Sequence, residues 1–405
     1  MRVCMISYSF YDTDCRILQY TKALQMRGDS VDVVALRKDS QPRFSVVDGV
    51  NVHRIQARVR DETNKFVYLW RILRFLLYAM LTVTRLHGKQ RFDIIHVHSV
   101  PDFLVFAAFV PRLLGTPVIL DIHDILPEFF ASKFSYDESS LLFRILLIEE
   151  RISTRFASHV IVANHIWHKR IEQRCRCEGR STPICNYPDA ALFRMKPDER
   201  RGEEVKMIYP GTLNRHQGVD IAVRAFARIA GLVPRAHFHI YGEGPEKASL
   251  AALAQSLGVA EQVSVHDFVP LDQITPIMAA ADLAVVPKRV SSRFGNEAAS
   301  TKIPQFMALG VPVVVSRTAI DSFYYDDSLV RFVEPENEPD LAAAMLSLLN
   351  DPESRRRLAH NSLEYVREHS WPRHQHTYLE LVDGLTVRPK GGRGRSAKSF
   401  VRAGA

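Results

Sequence analysis

Two successive α/β domains, each a doubly wound parallel sheet, are what this 405-residue sequence predicts. Three observations carry that expectation. Short apolar runs of strand length alternate with longer stretches of helical spacing over nearly the whole chain, the pattern of β-α-β units. The alternation breaks at a polar stretch from Pro183 to Glu204, which holds Pro188, Pro197 and Asp198-Glu199-Arg200-Arg201, and then restarts. The composition, 46% hydrophobic and 24% charged, is that of a globular chain and excludes a wholly disordered or fibrous one.

In order along the first half, strands are predicted at Val3–Ser7, Val31–Ala35, Ile94–Val97, Val118–Leu120 and Val160–Val162. Between the first two, Ile17, Tyr20, Leu24 and Met26 recur at helical spacing. In the second half, strands are predicted at Lys206–Tyr209, His237–Tyr241, Gln262–His266, Leu283–Val286 and Pro312–Val315. Helices fit Val219–Ala230, Pro245–Leu257, Ile303–Leu309 and Leu341–Leu349. The expected division is a first domain over 1–185, a linker over 186–204 and a second domain over 205–370. A helix over 371–385 carries Trp371, Tyr378, Leu379 and Val382 near one face, with Pro372 in its first turn, where a missing N–H costs little. The Gly/Arg/Lys-rich residues 386–405 are expected to be a disordered tail.

Charge and cysteine usage exclude several function classes. The formal charge is +8, but Arg388, Lys390, Arg393, Arg395, Lys398 and Arg402 account for all but two of those charges. A basic tail is not a basic body, so nucleic acid is not an expected partner. The five cysteines, Cys4, Cys15, Cys175, Cys177 and Cys185, contain no Cys-x-x-Cys pair and no disulfide framework is expected. The N-terminal residues read as a strand rather than a signal-peptide core, which points to the cytosol. The stretch Phe66–Val83 is apolar but contains Arg71 and Arg74, each costing about 2.5–3.5 kcal/mol at a bilayer centre, so spanning is not expected. A long buried or half-buried helix is the first reading. The alternative is a helix on an anionic membrane surface, with Trp70, Phe75 and Tyr78 inserted and Arg71, Arg74 and Arg85 near headgroups.

Ligands of doubly wound sheets bind outside the carboxyl ends of the strands, so two such domains facing across a cleft would carry their chemistry on the loops after strands. The loop after Tyr209 reads Pro210-Gly211-Thr212-Leu213-Asn214-Arg215-His216-Gln217-Gly218 and runs into a helix. Glycine lets a ligand approach the backbone, the helix N-terminus offers N–H groups to an anion, and Arg215 adds a two-pronged phosphate contact. An ordinary βα turn is the plain alternative. Tyr241-Gly242-Glu243-Gly244-Pro245 is a second tight turn. It lacks the third glycine of a dinucleotide fingerprint, and Glu243 would repel a pyrophosphate, so it fails as a nicotinamide signature. The segment Phe294–Pro312 follows a strand and opens a helix that Gly310 closes. Ser300 and Thr301 are N-cap types whose hydroxyls and following amides can hold a phosphate beside Lys302. Glu297 lies just outside the helix, where a carboxylate can hold sugar hydroxyls.

This last segment resembles the donor-binding motif of the family 4 retaining glycosyltransferases of GT-B fold, which have two Rossmann-like domains. In that family a Glu is followed eight residues later by a second Glu and then by Met-Ala-x-Gly-x-Pro-Val-Val. Glu297 fits the first position and Met307-Ala308-Leu309-Gly310-Val311-Pro312-Val313-Val314 fits the ending, while Gln305 stands where the second Glu is usual. The resemblance extends over nearly the whole chain except the tail. Gly211–Gly218 looks like the family's first phosphate loop, Tyr241–Pro245 its second glycine turn, and Ala281–Pro287 the strand before the donor motif. Phe92-Asp93-Ile94-Ile95-His96-Val97-His98 and Asp121-Ile122-His123-Asp124 look like the strand ends on the acceptor side.

What the resemblance implies is a retaining hexosyl- or glycosyltransferase that moves sugar from a nucleotide-diphosphate sugar to a glycan or lipid-linked acceptor, with no metal or other cofactor. Glu297 and His123 would flank the reacting sugar, and His98 and Asp124 would lie on the acceptor side. Gly211, Arg215, Gly242, Ser300, Thr301, Lys302 and Gln305 would hold the donor, with Phe268 and Val269 where the base meets backbone. The lysine that usually follows the arginine is replaced by Gln217, leaving Lys302 or Lys288 to supply the cation. An epimerase or hydrolase of the same architecture, or an inactive nucleotide-sugar-binding protein, is the alternative. Asp12-Thr13-Asp14 matches an Asp-x-Asp metal motif, but that motif belongs to a different, single-domain glycosyltransferase fold, and Asp14 reads well as a helix cap. The histidines show no His-x-x-x-His pair with a third ligand in view, and no metal site is expected.

Overall fold

The apolar runs pair in register as two sheets in the computed structural model, which describes residues 1–58, 65–134, 137–189, 192–194 and 204–386. The chain divides into two compact units, one of residues 1–131, 136–185 and 375 onward, the other of 132–135 and 186–374. Most of the expected linker, and the tail beyond Thr386, lie outside the described residues.

The first unit is built on β1 (Arg2–Ser7), β2 (Ser30–Arg37), β3 (Phe44–Val47), β4 (Val50–Ala57), β5 (Ile94–His98), β6 (Val118–Ile122), β7 (His159–Val162) and β8 (Ser181–Pro183). Their order is β3-β4-β2-β1-β5-β6-β7-β8. The central strands are buried on both faces, which is why they read as unbroken apolar runs. One edge departs from the all-parallel expectation: β3 runs antiparallel to β4. The cause is Asp48-Gly49, both at positive φ (48° and 81°), a two-residue turn whose twist suits a hairpin. The helices of this unit are α1 (Cys15–Met26), α2 (Lys65–Lys89), α3 (Phe109–Leu113), α4 (Leu126–Phe134), α5 (Leu141–Phe156) and α6 (His165–Cys175). All five cysteines are free.

α2 is half-buried, and both of its faces are apolar. Ile72, Phe75, Ala79 and Val83 fill the core, whereas Leu69, Trp70, Leu73, Leu77, Tyr78 and Leu81 are exposed. Phe75 therefore does not belong to an outward face, as the membrane-surface reading had it. Its ring meets Tyr8 edge-on at 5.1 Å.

The second unit has β9 (Val205–Pro210), β10 (Ala236–Tyr241), β11 (Val263–His266), β12 (Leu283–Val286), β13 (Val313–Ser316) and β14 (Arg331–Val333), ordered β11-β10-β9-β12-β13-β14 and parallel throughout. Its helices are α7 (Val219–Ile229), α8 (Lys247–Ser256), α9 (Leu271–Ala279), α10 (Arg293–Glu297), α11 (Lys302–Leu309), α12 (Ala319–Tyr324), α13 (Glu338–Asn350) and α14 (Pro352–Glu368). Alternate residues of β9 feed two cores, Met207 and Tyr209 one and Ile208 the other. α8 starts at Lys247 rather than Pro245, because the backbone at Gly244 is still turning against Leu213.

The last helix, α15 (Trp371–Thr386), joins the first unit from Gln375 onward. Tyr378 and Val382 are fully buried; the Tyr378 hydroxyl lies 3.1 Å from His96 Nδ1, and its ring is 4.2 Å from that of Tyr20. Leu379 is only partly covered. Truncating Tyr378 to alanine therefore leaves a cavity and an unpaired imidazole nitrogen, and is expected to cost about 3–5 kcal/mol in urea unfolding. A chain ending at Thr386 is expected to unfold at the parent midpoint; a large shift would show that residues 387–405 belong to the fold.

Candidate active site

In the first unit, the strand ends converge on a carboxylate with no exposed surface, Asp121 at the end of β6. Burial works against its charge, but Arg16 on α1 outweighs it with hydrogen bonds of 2.8 Å from Nε and 2.7 Å from a terminal nitrogen, and the pKa lies well below the usual carboxylate range. Arg16 also donates to the Ile184 carbonyl at 2.9 Å. α1 is held in place for this by Asp14, whose carboxylate caps it by accepting from the Ile17 N–H. Asp12 accepts from Arg54 at 3.2 Å and from Gln41. The two aspartates thus have separate structural tasks.

Around Asp121 Oδ2 stand His123 Nε2 at 3.2 Å, His98 Nδ1 at 3.3 Å and His96 Nε2 at 3.6 Å. Burial lowers the pKa of His98 and takes His96 down to about 3, so both rings are neutral at physiological pH. His123 is the member of this group with surface exposed to solvent, which suits it to touch a substrate. Asp124, next in the chain, makes no hydrogen bond among the described residues, and burial raises its pKa, with His123 partly offsetting the rise. His123, expected beside the reacting sugar, and His98 and Asp124, expected on the acceptor side, are therefore brought together. Arg16 and Asp121, which orient them, were not among the expected site residues.

In the second unit, the loops after β9 and β10 pack backbone against backbone. The Gly211 N–H donates to the Tyr241 carbonyl at 2.9 Å, and Leu213 N–H to Glu243 O at 2.9 Å. A Cβ on Gly242 (φ 151°) would collide with the Gly211 carbonyl oxygen, which is the physical demand for glycine there. Glu243 does not stand as a bare anion. Lys247 Nζ donates to it at 2.7 Å, and the Phe268 amide donates to the same oxygen at 3.3 Å. The Phe268 N–H is thus engaged within the protein. The Phe268 side chain is exposed, whereas Val269 packs on the core.

Arg215 begins a 3-10 turn that ends at Gln217, and its side chain is exposed. Its carbonyl is held by Arg289, which also grips Asp220 with two bonds of 2.8 Å, so the loop after β12 fixes the loop after β9. Glu297 ends α10, and Thr301 occupies the N-cap of α11. Thr301 has helical φ and ψ and its side chain makes no capping bond to the helix. The first amides of α11 thus have no side-chain acceptor, and Ser300 Oγ is buried with no hydrogen-bond partner among the described residues. Gln305, one turn further on, also leaves its carboxamide without a hydrogen bond among the described residues.

The two candidate cations separate cleanly. Lys288 is buried and committed to Asp321 (3.0 Å) and the Ala298 carbonyl (2.7 Å), so it is not the spare charge. Lys302 instead leans over Gly211, its Nζ 3.4 Å from Gln217 Oε1 and 5.2 Å from the Tyr209 ring centre. Burial, with Lys288 nearby, lowers its pKa to about 8.

Two strand-borne His-x-His pairs escaped a search made at helical spacing. His96, His98 and Asp121, and likewise His237, His239 and Glu204, present donor atoms within 4.8 Å of one another. In the first group the Arg16 guanidinium already neutralises the carboxylate, which opposes a cation. In the second, both histidines lie on β10, before the loop at its carboxyl end, and Glu204 immediately precedes β9.

Comparison with known proteins agrees with the fold. Residues 15–186 match the model of the glycosyl transferase 4-like domain, and residues 193–365 that of glycosyl transferases group 1. A D-inositol 3-phosphate glycosyltransferase of Thermomonospora curvata is 24% identical over 399 residues, 91% of this chain and 89% of that protein. Among solved structures, sucrose-phosphate synthase of Thermosynechococcus elongatus superposes with a TM-score of 0.76 at 18% identity, over 95% of this chain and all of that one. The Anabaena protein HepE in complex with UDP and glucose gives 0.70 at 16%, with the same coverage. Two parallel-sheet units, loops at their strand ends and two adjoining family matches together place the chain in the family 4 glycosyltransferases of GT-B fold.

Proposed function

We propose that the chain transfers a glycosyl group from a nucleotide-diphosphate sugar to a hydroxyl of a glycan or lipid-linked acceptor, with retention at the anomeric carbon and no metal ion. The observation that carries this reading is the meeting of Lys302 Nζ and the Gly211 backbone beside an α11 N-terminus that no side chain caps. A diphosphate there meets a cation, free amides and the Ser300 hydroxyl, a set that stabilises negative charge developing on a leaving group. The complex of the Anabaena relative with UDP and glucose supports a nucleoside diphosphate in that role.

Arg215 adds a second cation to the diphosphate, Glu297 holds the transferred sugar, and Gln305 meets the ribose hydroxyls through uncharged hydrogen bonds. In the transfer, the bond from the anomeric carbon to the diphosphate oxygen breaks and the bond to the acceptor oxygen forms on the same face. The acceptor proton passes to the departing diphosphate. Protein groups supply positioning and charge stabilisation, with His123 near the reacting sugar and His98 and Asp124 on the acceptor side. We place the enzyme in the cytoplasm, at the inner face of the cell membrane, for which the exposed apolar side of α2 is the support.

Glu297→Ala and Arg215→Ala are each expected to lower kcat/KM by at least about 100-fold, about 2.7 kcal/mol of transition-state stabilisation. Steady-state assays over a panel of nucleotide sugars measure this, and near-parent rates in folded variants would remove both residues from the site. Free nucleotide without a glycosylated product would mean a hydrolase or epimerase instead.

EDTA is expected to leave the rate unchanged; a strong loss would turn attention to the Glu204, His237 and His239 group. The Lys302 ammonium is charged below a pH of about 8 and lost above it, and a bound diphosphate favours the charged form. Calorimetric affinity for the nucleoside diphosphate should be flat below that pH and fall by up to about tenfold per unit above it. Lys302→Arg should abolish the fall, and an unchanged profile in that variant would assign the titration elsewhere.

A further inference from the structure

The first unit presents a second apolar surface that its fold does not use. β4 to β5, β5 to β6 and β6 to β7 all advance in one direction along the sheet, whereas β1 to β2 runs the other way. Right-handed crossovers then put α2, α3 and α5 together on one face of the sheet and α1 on the opposite face. On α5, Leu141, Ile145, Ile148 and Ile152 are all exposed, an i, i+4, i+7, i+11 stripe pointing away from the core. The inward face carries Phe143, Glu150, Ser153 and Thr154. α3 adds exposed Phe109, Leu113 and Leu114, and the Phe109 ring stacks on Phe156 at the end of α5, 6.2 Å apart and 7° from parallel. α2 adds Trp70 and Tyr78 with the leucines beside them.

Charge selects the occupant. The exposed polar residues on α5 are Arg144, Arg151 and Arg155, while its two acids turn inward: Glu149 accepts from Ser153 at 2.8 Å and Glu150 pairs with Arg174. From Lys65 to Phe92 there is no acidic residue at all, and Arg85 and Lys89 are exposed. Apart from Asp137 and Glu138, which precede the first turn of α5, the exposed charges along these helices are cations, and such stripes fit an anionic lipid surface, where the side chains enter the acyl boundary and arginines meet headgroups. A second copy of the chain on the same face would oppose arginine with arginine. Spanning by α2 is ruled out by its inner residues Ile72, Phe75, Ala79 and Val83, whose departure would empty the core.

We infer that α5 and α3, together with α2, form a docking face by which the first unit lies on an anionic phospholipid bilayer. This deepens the membrane placement proposed above, extending it from one helix to a three-helix face. The test is co-sedimentation of the full chain with vesicles of phosphatidylcholine containing phosphatidylglycerol, against pure phosphatidylcholine. The parent should bind the anionic vesicles and release at high salt. Ile145→Glu with Ile148→Glu, at exposed positions, should lower binding at least tenfold while keeping the parent melting temperature and its calorimetric affinity for uridine diphosphate, a readout of the donor site alone. Loss of vesicle binding with nucleotide affinity intact isolates the docking face from the transferase reading.

An independent measurement on the parent uses Trp70, since Trp167 and Trp371 are buried. Anionic vesicles carrying brominated acyl chains should quench its fluorescence, and Trp70→Phe should remove the quenching. Parent-level binding by the α5 double variant, equal binding to neutral vesicles, absence of quenching, or a dimer in sedimentation velocity that the same double variant dissolves would each overturn the inference.

Discussion

A carboxylate sealed from water sets the geometry of the first unit. Asp121 carries its charge only because Arg16, 105 residues earlier in the chain, meets it with two hydrogen bonds. Removing either partner would strand a charge in the core. The pair therefore ties α1 to the end of β6, and with the Ile184 carbonyl it reaches the last residues before the chain leaves the unit. Three imidazoles then arrange themselves around the same carboxylate, and the hydroxyl of α15 reaches the innermost of them. Strand ends, first helix and last helix are all referred to one buried charge. The histidine that meets solvent is the outermost member of an ordered stack rather than a free surface side chain.

The second unit solves a different problem, which is to bring bare backbone to a ligand. Two turns approach so closely that neither Gly242 nor Gly244 could carry a side chain without striking the backbone of the facing turn, and hydrogen bonds between the turns fix their separation. Arg289 then locks a third loop to the first. Rigidity of this kind matters because amides stabilise an anion best when they need not reorganise to meet it.

Much of the fold was legible because strands buried on both faces leave unbroken apolar runs and because helices interrupt them regularly. What escaped was local or distant. The hairpin at Asp48-Gly49 is a two-residue signal lying between strands too short to stand out. The three-residue edge strands β8 and β14 leave almost no pattern. Arg16 reads as one more polar residue on a helix, and nothing in its neighbourhood announces a partner across the sheet. His96 and His98 share a strand face at a spacing of two, so a search for helical ligand pairs passes over them. Residues in motifs were visible as candidates; those that hold the motifs in place were not, since their partners are fixed only by the folded sheet.

The two glutamines offer the sharpest case. Against the family pattern, Gln217 removes a cation from the first phosphate loop and Gln305 removes an anion from the donor helix, so the local net charge is unchanged. The cation's place is not left empty, because Lys302 reaches the Gln217 carboxamide from the start of α11, 85 residues away. Gln217 Oε1 also accepts from the Tyr209 hydroxyl at 3.1 Å, so the carboxamide oxygen positions the ammonium rather than replacing it. A lysine brought in from a helix start is half-buried beside an aromatic ring, and burial makes its charge conditional where an exposed loop lysine would keep it at all relevant pH. The same charge is thus present, but it is held by a different element and is most strongly favoured when an anion lies against it.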